Sequence, residues 1–319
     1  MVTLQTGGKS MKSKVLLIPL LLSLCGNGGD IIWEFEQFSE GRPAYPKRKD
    51  SPVASFRVSA MRPIMTGGFA DQQHRIEKAL CSYLTIPSYD AGRGEDPFVY
   101  GMKMPIALRA FCDDWYKGYE KAAKEAQEEG ALPAFLDCWF MRVSGRVYYI
   151  DDRYLTYVVE RSEHEGGMHP NVWYRYLVWS FEKKRPLWLD DILDLKRKDA
   201  IMDVIRESAV ADAGATNYAH YVESTQVDIK SIPKNFAIED RGVMFVYNDY
   251  ENGFYRGGPL EIRVAWDDLR PVIKEPSLVP KLRTYRTAVE GLRPDRRNPI
   301  KVGNLIFYEV KPTDCPRSE

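Results

Sequence analysis

The sequence predicts an α+β fold in which antiparallel β-strands pack against helices, as two sub-domains in one compact unit. Three observations predict it. Residues 154–161 (YLTYVVER) and 171–181 (NVWYRYLVWSF) are rich in β-branched and aromatic side chains, and Gly166-Gly167 and Pro170 stop either strand from continuing. Residues 106–130 carry an apolar face at helical spacing with no internal proline. Hairpin signals join consecutive strands, and the regular strand–helix alternation of a parallel sheet is missing.

Taken in order, residues 1–25 have the form of an export signal. A short basic segment from Met11 precedes an apolar run too short to span a bilayer. Leu22-Ser23-Leu24-Cys25 approximates a lipobox that would place lipid on Cys25, and cleavage after Gly28 by ordinary signal peptidase is the competing reading. Residues 26–54, with Pro43, Pro46, Pro52 and the basic Lys47-Arg48-Lys49, read as a tether holding one strand in IIWEFEQF.

An N-terminal half, 55–182, follows. It opens with a strand at 55–65 and a helix at 70–84 whose Ile76, Leu80 and Leu84 share a face. The 106–130 helix aligns Leu108, Phe111, Trp115, Tyr119 and Ala122. From 134 to 180 four strands are expected, with Ser144-Gly145 as a hairpin turn and Asp151-Asp152 as a second. In the 171–181 run Trp173, Arg175, Leu177, Trp179 and Phe181 face one way, and Val172, Tyr174, Tyr176 and Val178 the other. Both faces are largely apolar, which predicts a strand covered on both sides at the centre of a sheet.

The C-terminal half, 183–275, begins with helical segments at 189–195, where Asp190 suits a cap, and at 197–210. Residues 211–230 fit no pattern. Strands at 235–240, 243–248 and 260–266 form a meander that a helical turn at 267–273 closes. The extension 276–319 is basic and proline-punctuated, with one strand in VGNLIFYEV.

Two blocks carry a family resemblance. EGGMHP, the aromatic strand and LWLDDIL form one; Asn235-Phe236 and GVMFVYNDYENGFYRGGPLEIRVAWDDLRPVI form the other. They resemble a bacterial envelope family that includes the extracellular domain of the anti-sigma-V factor RsiV and the non-catalytic domain of the peptidoglycan deacetylase PdaC. The signature positions are Gly166, Gly167, His169, Tyr250, Tyr255 and Gly258, and Met168 departs from the family's usual alanine. The resemblance implies a binding role, since the RsiV domain binds lysozyme. It also implies that the signature residues determine the fold.

Composition narrows the partners. Lys plus Arg equals Asp plus Glu at 45 each, so no global charge favours nucleic acid. Export makes Cys81, Cys112, Cys138 and Cys315 candidates for two disulfides, and buried free thiols are the equal alternative. His164 and His169 are five residues apart across Gly166-Gly167, whereas a zinc protease needs histidines four apart on a helix. The weaker metal reading is a surface loop of His164, His169 and Glu163. No cofactor is expected. Phosphate-loop, dinucleotide and serine-elbow motifs are absent from the sequence. The paired acids, including Asp113-Asp114, fit turns and solvated faces.

The expected protein is an exported lipoprotein, periplasmic or on the outer surface, meeting the membrane through its lipid alone. Its expected partner is a lysozyme-like muramidase or peptidoglycan. A basic muramidase calls for clustered carboxylates, and Glu163, Glu165, Glu239, Asp240, Asp249 and Glu251, with His169, lie in loops that could present them. The alternative is a metal-assisted hydrolase of cell-wall glycan acting through His164 and His169.

Overall fold

Long runs of alternating apolar residues build one sheet in the first half of the chain. The computed structural model describes residues 20–24, 29–85, 103–130, 133–150, 153–249, 251, 258–274, 300–302 and 305–307. Gly29–Pro43 (β2) pairs antiparallel with Val53–Met65 (β3) along its whole length, from Ile31 opposite Met65 to Pro43 opposite Val53. Leu20–Leu24 (β1) pairs along the outer edge of β2. The strand expected at IIWEFEQF is therefore longer, and residues 29–43, expected within a tether, are integral to the sheet. Ile31 and Trp33 are fully buried there, and removing such side chains from water favours pairing over a free chain.

β3 runs parallel to Phe140–Ile150 (β4), with Ser55 beside Phe140. A parallel pair needs a crossover, and two helices supply it: Gln73–Thr85 (α1) and Met104–Glu128 (α2). Among the described residues this is the one parallel step in a sheet otherwise antiparallel and ordered as the chain runs. Tyr154–His164 (β5), Asn171–Ser180 (β6) and Arg185–Pro186 (β7) complete it. Phe56 and Val58 of β3, Tyr157 of β5 and Leu177 and Trp179 of β6 meet Ile76 and Leu80 of α1 and Leu108, Cys112 and Trp115 of α2 in the first core.

The hairpin expected at Ser144-Gly145 is not formed. Both residues lie inside β4, and residues 133–138 are a 3-10 turn rather than a strand. The glycine serves close packing instead of chain reversal. A Cβ at Gly145 would stand 2.3 Å from the Tyr157 hydroxyl and 2.9 Å from Leu84, so only glycine admits the buried Tyr157, whose hydroxyl donates to the Met61 carbonyl at 2.8 Å.

Both faces of β6 are covered, as its sequence predicts, but it lies near the edge of the sheet rather than at the centre. Its cover on the second face is a small antiparallel sheet of Phe236–Ile238 (β8), Gly242–Tyr247 (β9) and Leu260–Ala265 (β10). Val158 and Tyr176 meet Ala237, Met244 and Val246 across the interface. On the far side of the small sheet, Lys198–Asp212 (α3) buries Ile201, Ile205 and Ala209 against Phe245, Val264 and Trp266. Tyr218–Thr225 (α4) is a helix in the unassigned stretch, capped by the Asn217 side chain, which accepts from the His220 N–H at 2.9 Å. At the short helix Leu189–Ile192 the capping acid is Asp191, not Asp190: Asp191 accepts from the Trp188 N–H at 2.9 Å. Residues 300–302 and 305–307 pair antiparallel where one strand was expected.

The cysteines resolve toward thiols. Cys81, Cys112 and Cys138 are free, which overturns the disulfide alternative for these three. Burial on the facing helices pushes the Cys81 and Cys112 thiols up to about 12. Cys25 and Cys315 lie outside the described residues, as does the expected Asp151-Asp152 turn.

Candidate functional site

The corner between β5 and β6 begins where their pairing ends, at Glu163 opposite Asn171. Gly166 turns the chain with φ of +89°, a conformation that side chains other than glycine's rarely adopt. The same glycine is also demanded by packing, since a Cβ there would stand 3.0 Å from the Phe135 ring. Gly167 shows no positive φ, and a Cβ there would meet only the His169 carbonyl at an ordinary 3.9 Å, so the expected glycine pair divides: the first residue turns and the second follows.

Three contacts brace this corner from beneath. The His164 ring stacks on Phe140, and its Nδ1 lies 3.1 Å from the Cys138 carbonyl. The Trp115 indole N–H of α2 donates to Glu165 at 3.0 Å. Phe135 lies under Gly166. Nearby, Glu163 pairs with Arg161 at 2.5 Å, and that guanidinium sits 5.1 Å from the Phe111 ring and 5.0 Å from the Trp173 ring. His169 holds the corner locally, its Nδ1 being 3.2 Å from the Pro170 carbonyl. At the tip stands Met168, fully exposed at 101%.

These partners decide the metal reading. Glu163 is engaged by Arg161, Glu165 by Trp115, and one nitrogen of each histidine by a backbone carbonyl. Among the described residues no group of three His, Cys, Asp or Glu side chains is placed to hold an ion. The loop of His164, His169 and Glu163 is thus not assembled as a ligand set.

The remaining carboxylates go elsewhere. Glu239 lies at the seam between the two sheets, accepting from the Tyr148 hydroxyl at 2.5 Å and lying 3.5 Å from Arg263. Burial, and then the bond to Glu239, push that phenol up to about 12. Asp240 is half-buried in the turn into β9. After β9, Glu251 accepts from the Asn248 N–H at 2.8 Å and Asp249 from the Gly258 N–H at 3.4 Å. Gly258 has open space at its Cβ position and no positive φ, so neither packing nor backbone requires glycine there. Tyr250 and Tyr255 lie outside the described residues. The acids expected to cluster are therefore divided among the corner, the seam and the turn after β9.

Two buried asparagines, Asn235 before β8 and Asn248 after β9, join the small sheet to β6; both lie in the resembling blocks, but sequence reasoning gave neither a role. Asn248 Oδ1 accepts from the Tyr174 N–H at 2.7 Å, and Asn235 Oδ1 accepts from the Tyr176 N–H at 2.9 Å. Both side-chain amides donate back to the Tyr174 carbonyl, at 3.0 Å and 2.8 Å. The two amides take the place of a neighbouring strand, closing an edge that would otherwise present unpaired backbone groups. Their bonding role has no local signal, because an asparagine beside a strand ordinarily reads as a turn residue.

Comparison with known proteins agrees with this architecture. Residues 190–267 match the model of DUF3298, described as a protein of unknown function. No curated protein matches the sequence. A crystal structure of a DUF3298-family member from Bacteroides fragilis NCTC 9343 covers 81% of this chain and 99% of its own, at 18% identity and a TM-score of 0.67. A DUF3298-family protein from Pseudomonas aeruginosa PAO1 aligns with 76% of this chain and 94% of its own, at 13% identity and a TM-score of 0.49. The chain shares its fold with the Bacteroides protein, and the stretch that matches the DUF3298 model, residues 190–267, holds the small sheet and the asparagines that close β6.

Proposed function

We propose that this chain is a non-catalytic recognition module of the bacterial cell envelope that takes a basic, lysozyme-like muramidase at the β5–β6 corner. The observation that carries the reading is Met168, wholly exposed on a corner braced by His164, Glu165 and Phe135. A flexible apolar side chain held out on a preorganised turn suits docking, because little ordering entropy remains to be lost on association. Exposed Glu165 beside it, and exposed Glu251 at the turn tied to β6 through Asn248, offer negative charge to a basic partner. The resemblance of EGGMHP and the closing block to the RsiV family supports the same partner class. Export as a lipoprotein on Cys25 belongs to this proposal, with processing that removes β1 and leaves β2 as the edge strand. Palmitate labelling of the wild type but not of Cys25→Ala is its expected result, and equal labelling would overturn it.

The test of recognition is calorimetric titration of the full chain with lysozyme and with muropeptides at two salt concentrations. Lysozyme binding that weakens with salt is expected. Met168→Ser should weaken it about tenfold, since burying a methionine side chain contributes about 1.5–3 kcal/mol and 1.4 kcal/mol is one decade. Absence of binding to lysozyme, together with metal-dependent release of sugar fragments, would overturn the proposal in favour of a hydrolase.

A further inference from the structure

Of the methionines in the described residues, Met65, Met104, Met141, Met202 and Met244 are buried, and Met61 is half-buried within β3. Met168 differs from all of them. Its side chain is 101% exposed, beyond the last strand pair, on a corner turned by a glycine at φ +89°. Neighbouring side chains do not screen its thioether, while Glu165 is held by Trp115 and His164 by Phe140 and the Cys138 carbonyl.

We propose that Met168 is an oxidation site that two-electron oxidants of the peroxide class modify ahead of the other described methionines, and that its sulfoxide weakens recognition at the β5–β6 corner. The second half rests on the proposed function of that corner. In the reaction the sulfur lone pair forms a bond to one peroxide oxygen as the O–O bond breaks. The proton on the transferred oxygen passes to the departing hydroxide, which leaves as water. Sulfur is oxidised by two electrons and the peroxide is reduced by two. The product replaces an apolar, flexible tip with a polar, chiral one, and a thiol-dependent sulfoxide reductase restores the thioether. The buried methionines react only as fast as the fold opens, so exposure sets the order of oxidation.

The contrast with the buried thiols strengthens the assignment. Cys81 and Cys112 are shut inside the first core with their thiolate forms disfavoured, so these two thiols do not compete with Met168 for oxidant in the native state, and among the described cysteines only the half-buried Cys138 is placed to do so.

The experiment is graded hydrogen peroxide treatment of the full chain, with peptide mapping by mass spectrometry and lysozyme titration of the same samples. Met168 sulfoxide is expected to form at least about tenfold faster than sulfoxide at Met61, Met65 or Met141, following exposure. Lysozyme affinity of the wild type should fall about tenfold at full Met168 conversion, whereas the affinity of Met168→Leu, whatever its untreated value, should not change on the same treatment. Equal or faster oxidation at Met61 or at a buried methionine would overturn the site. Selective Met168 oxidation with unchanged lysozyme affinity would overturn its effect on recognition. If untreated protein binds no lysozyme, the proposed function fails and the regulatory half falls with it, while selective mapping at Met168 still upholds the oxidation site.

Discussion

Closing β6 with two asparagine side chains has a measurable consequence. Asn235→Ala removes the acceptor of the Tyr176 N–H and one of two donors to the Tyr174 carbonyl. Orphaning a buried N–H costs about 1–3 kcal/mol, and the lost bond to a carbonyl that keeps its other donor costs about 0.5–1.5 kcal/mol. The expected destabilisation is about 2–4 kcal/mol, and Asn248→Ala should be similar because it orphans the Tyr174 N–H. The two changes should not be additive. Either single variant leaves the Tyr174 carbonyl one donor, Asn248 at 3.0 Å or Asn235 at 2.8 Å, and the double variant removes both. Its loss should therefore exceed the sum by about 1–2 kcal/mol. Urea unfolding of the four proteins measures the cycle. Amide exchange localises it: Asn235→Ala should speed exchange at Tyr176, and Asn248→Ala at Tyr174. Additivity within about 0.5 kcal/mol, or unchanged exchange at both amides, would refute the view that these side chains replace a strand.

Gly242→Ala should be at least as damaging. An added Cβ would lie 1.9 Å from the Val264 carbonyl oxygen, which is backbone and cannot rotate away, so a loss of about 3 kcal/mol or more is expected in thermal unfolding. Glu36 gives a pH signature. Burial raises its carboxyl above the ordinary value against the pull of Arg62 at 3.3 Å, with Glu34 and Glu77 adding to the rise. A raised folded-state value means that its stabilising contribution is present below the unfolded value and is lost as pH rises through the folded one. Glu36→Gln should then be more stable than wild type at pH 7, with the gap narrowing toward pH 4; lower stability at pH 7 would sink this account. Finally, Cys81 and Cys112 should resist a thiol reagent in the native protein and react after denaturation, and rapid native labelling of either would contradict their placement in the first core.

Much of this architecture was legible from periodicity and punctuation. The α+β class, the two long helices, the β5–β6 pair and a positive φ at one of Gly166 and Gly167 follow from side-chain spacing and from the conformational freedom of one residue type, while the choice of Gly166 does not. These are local properties, and a local pattern contains them. The rest depended on partners distant in sequence. Ser144-Gly145 has the composition of a turn, yet Tyr157 and Leu84 need the space that Gly145 leaves, so it stays in a strand. IIWEFEQF resembles a short strand in a tether until β3 extends its pairing from Ile31 to Pro43.

The site divides along the same line. EGGMHP by itself determined that the chain must reverse between two strands, because glycine and proline act on their own backbone. Only the tertiary structure decided that Glu163 belongs to Arg161, Glu165 to Trp115 and Glu239 to Tyr148, and that Met168 alone among these corner residues points wholly to solvent. A carboxylate's charge is written in the sequence, but its partner is set by which strand or helix folding brings within about 3 Å of it, the range over which a hydrogen bond forms.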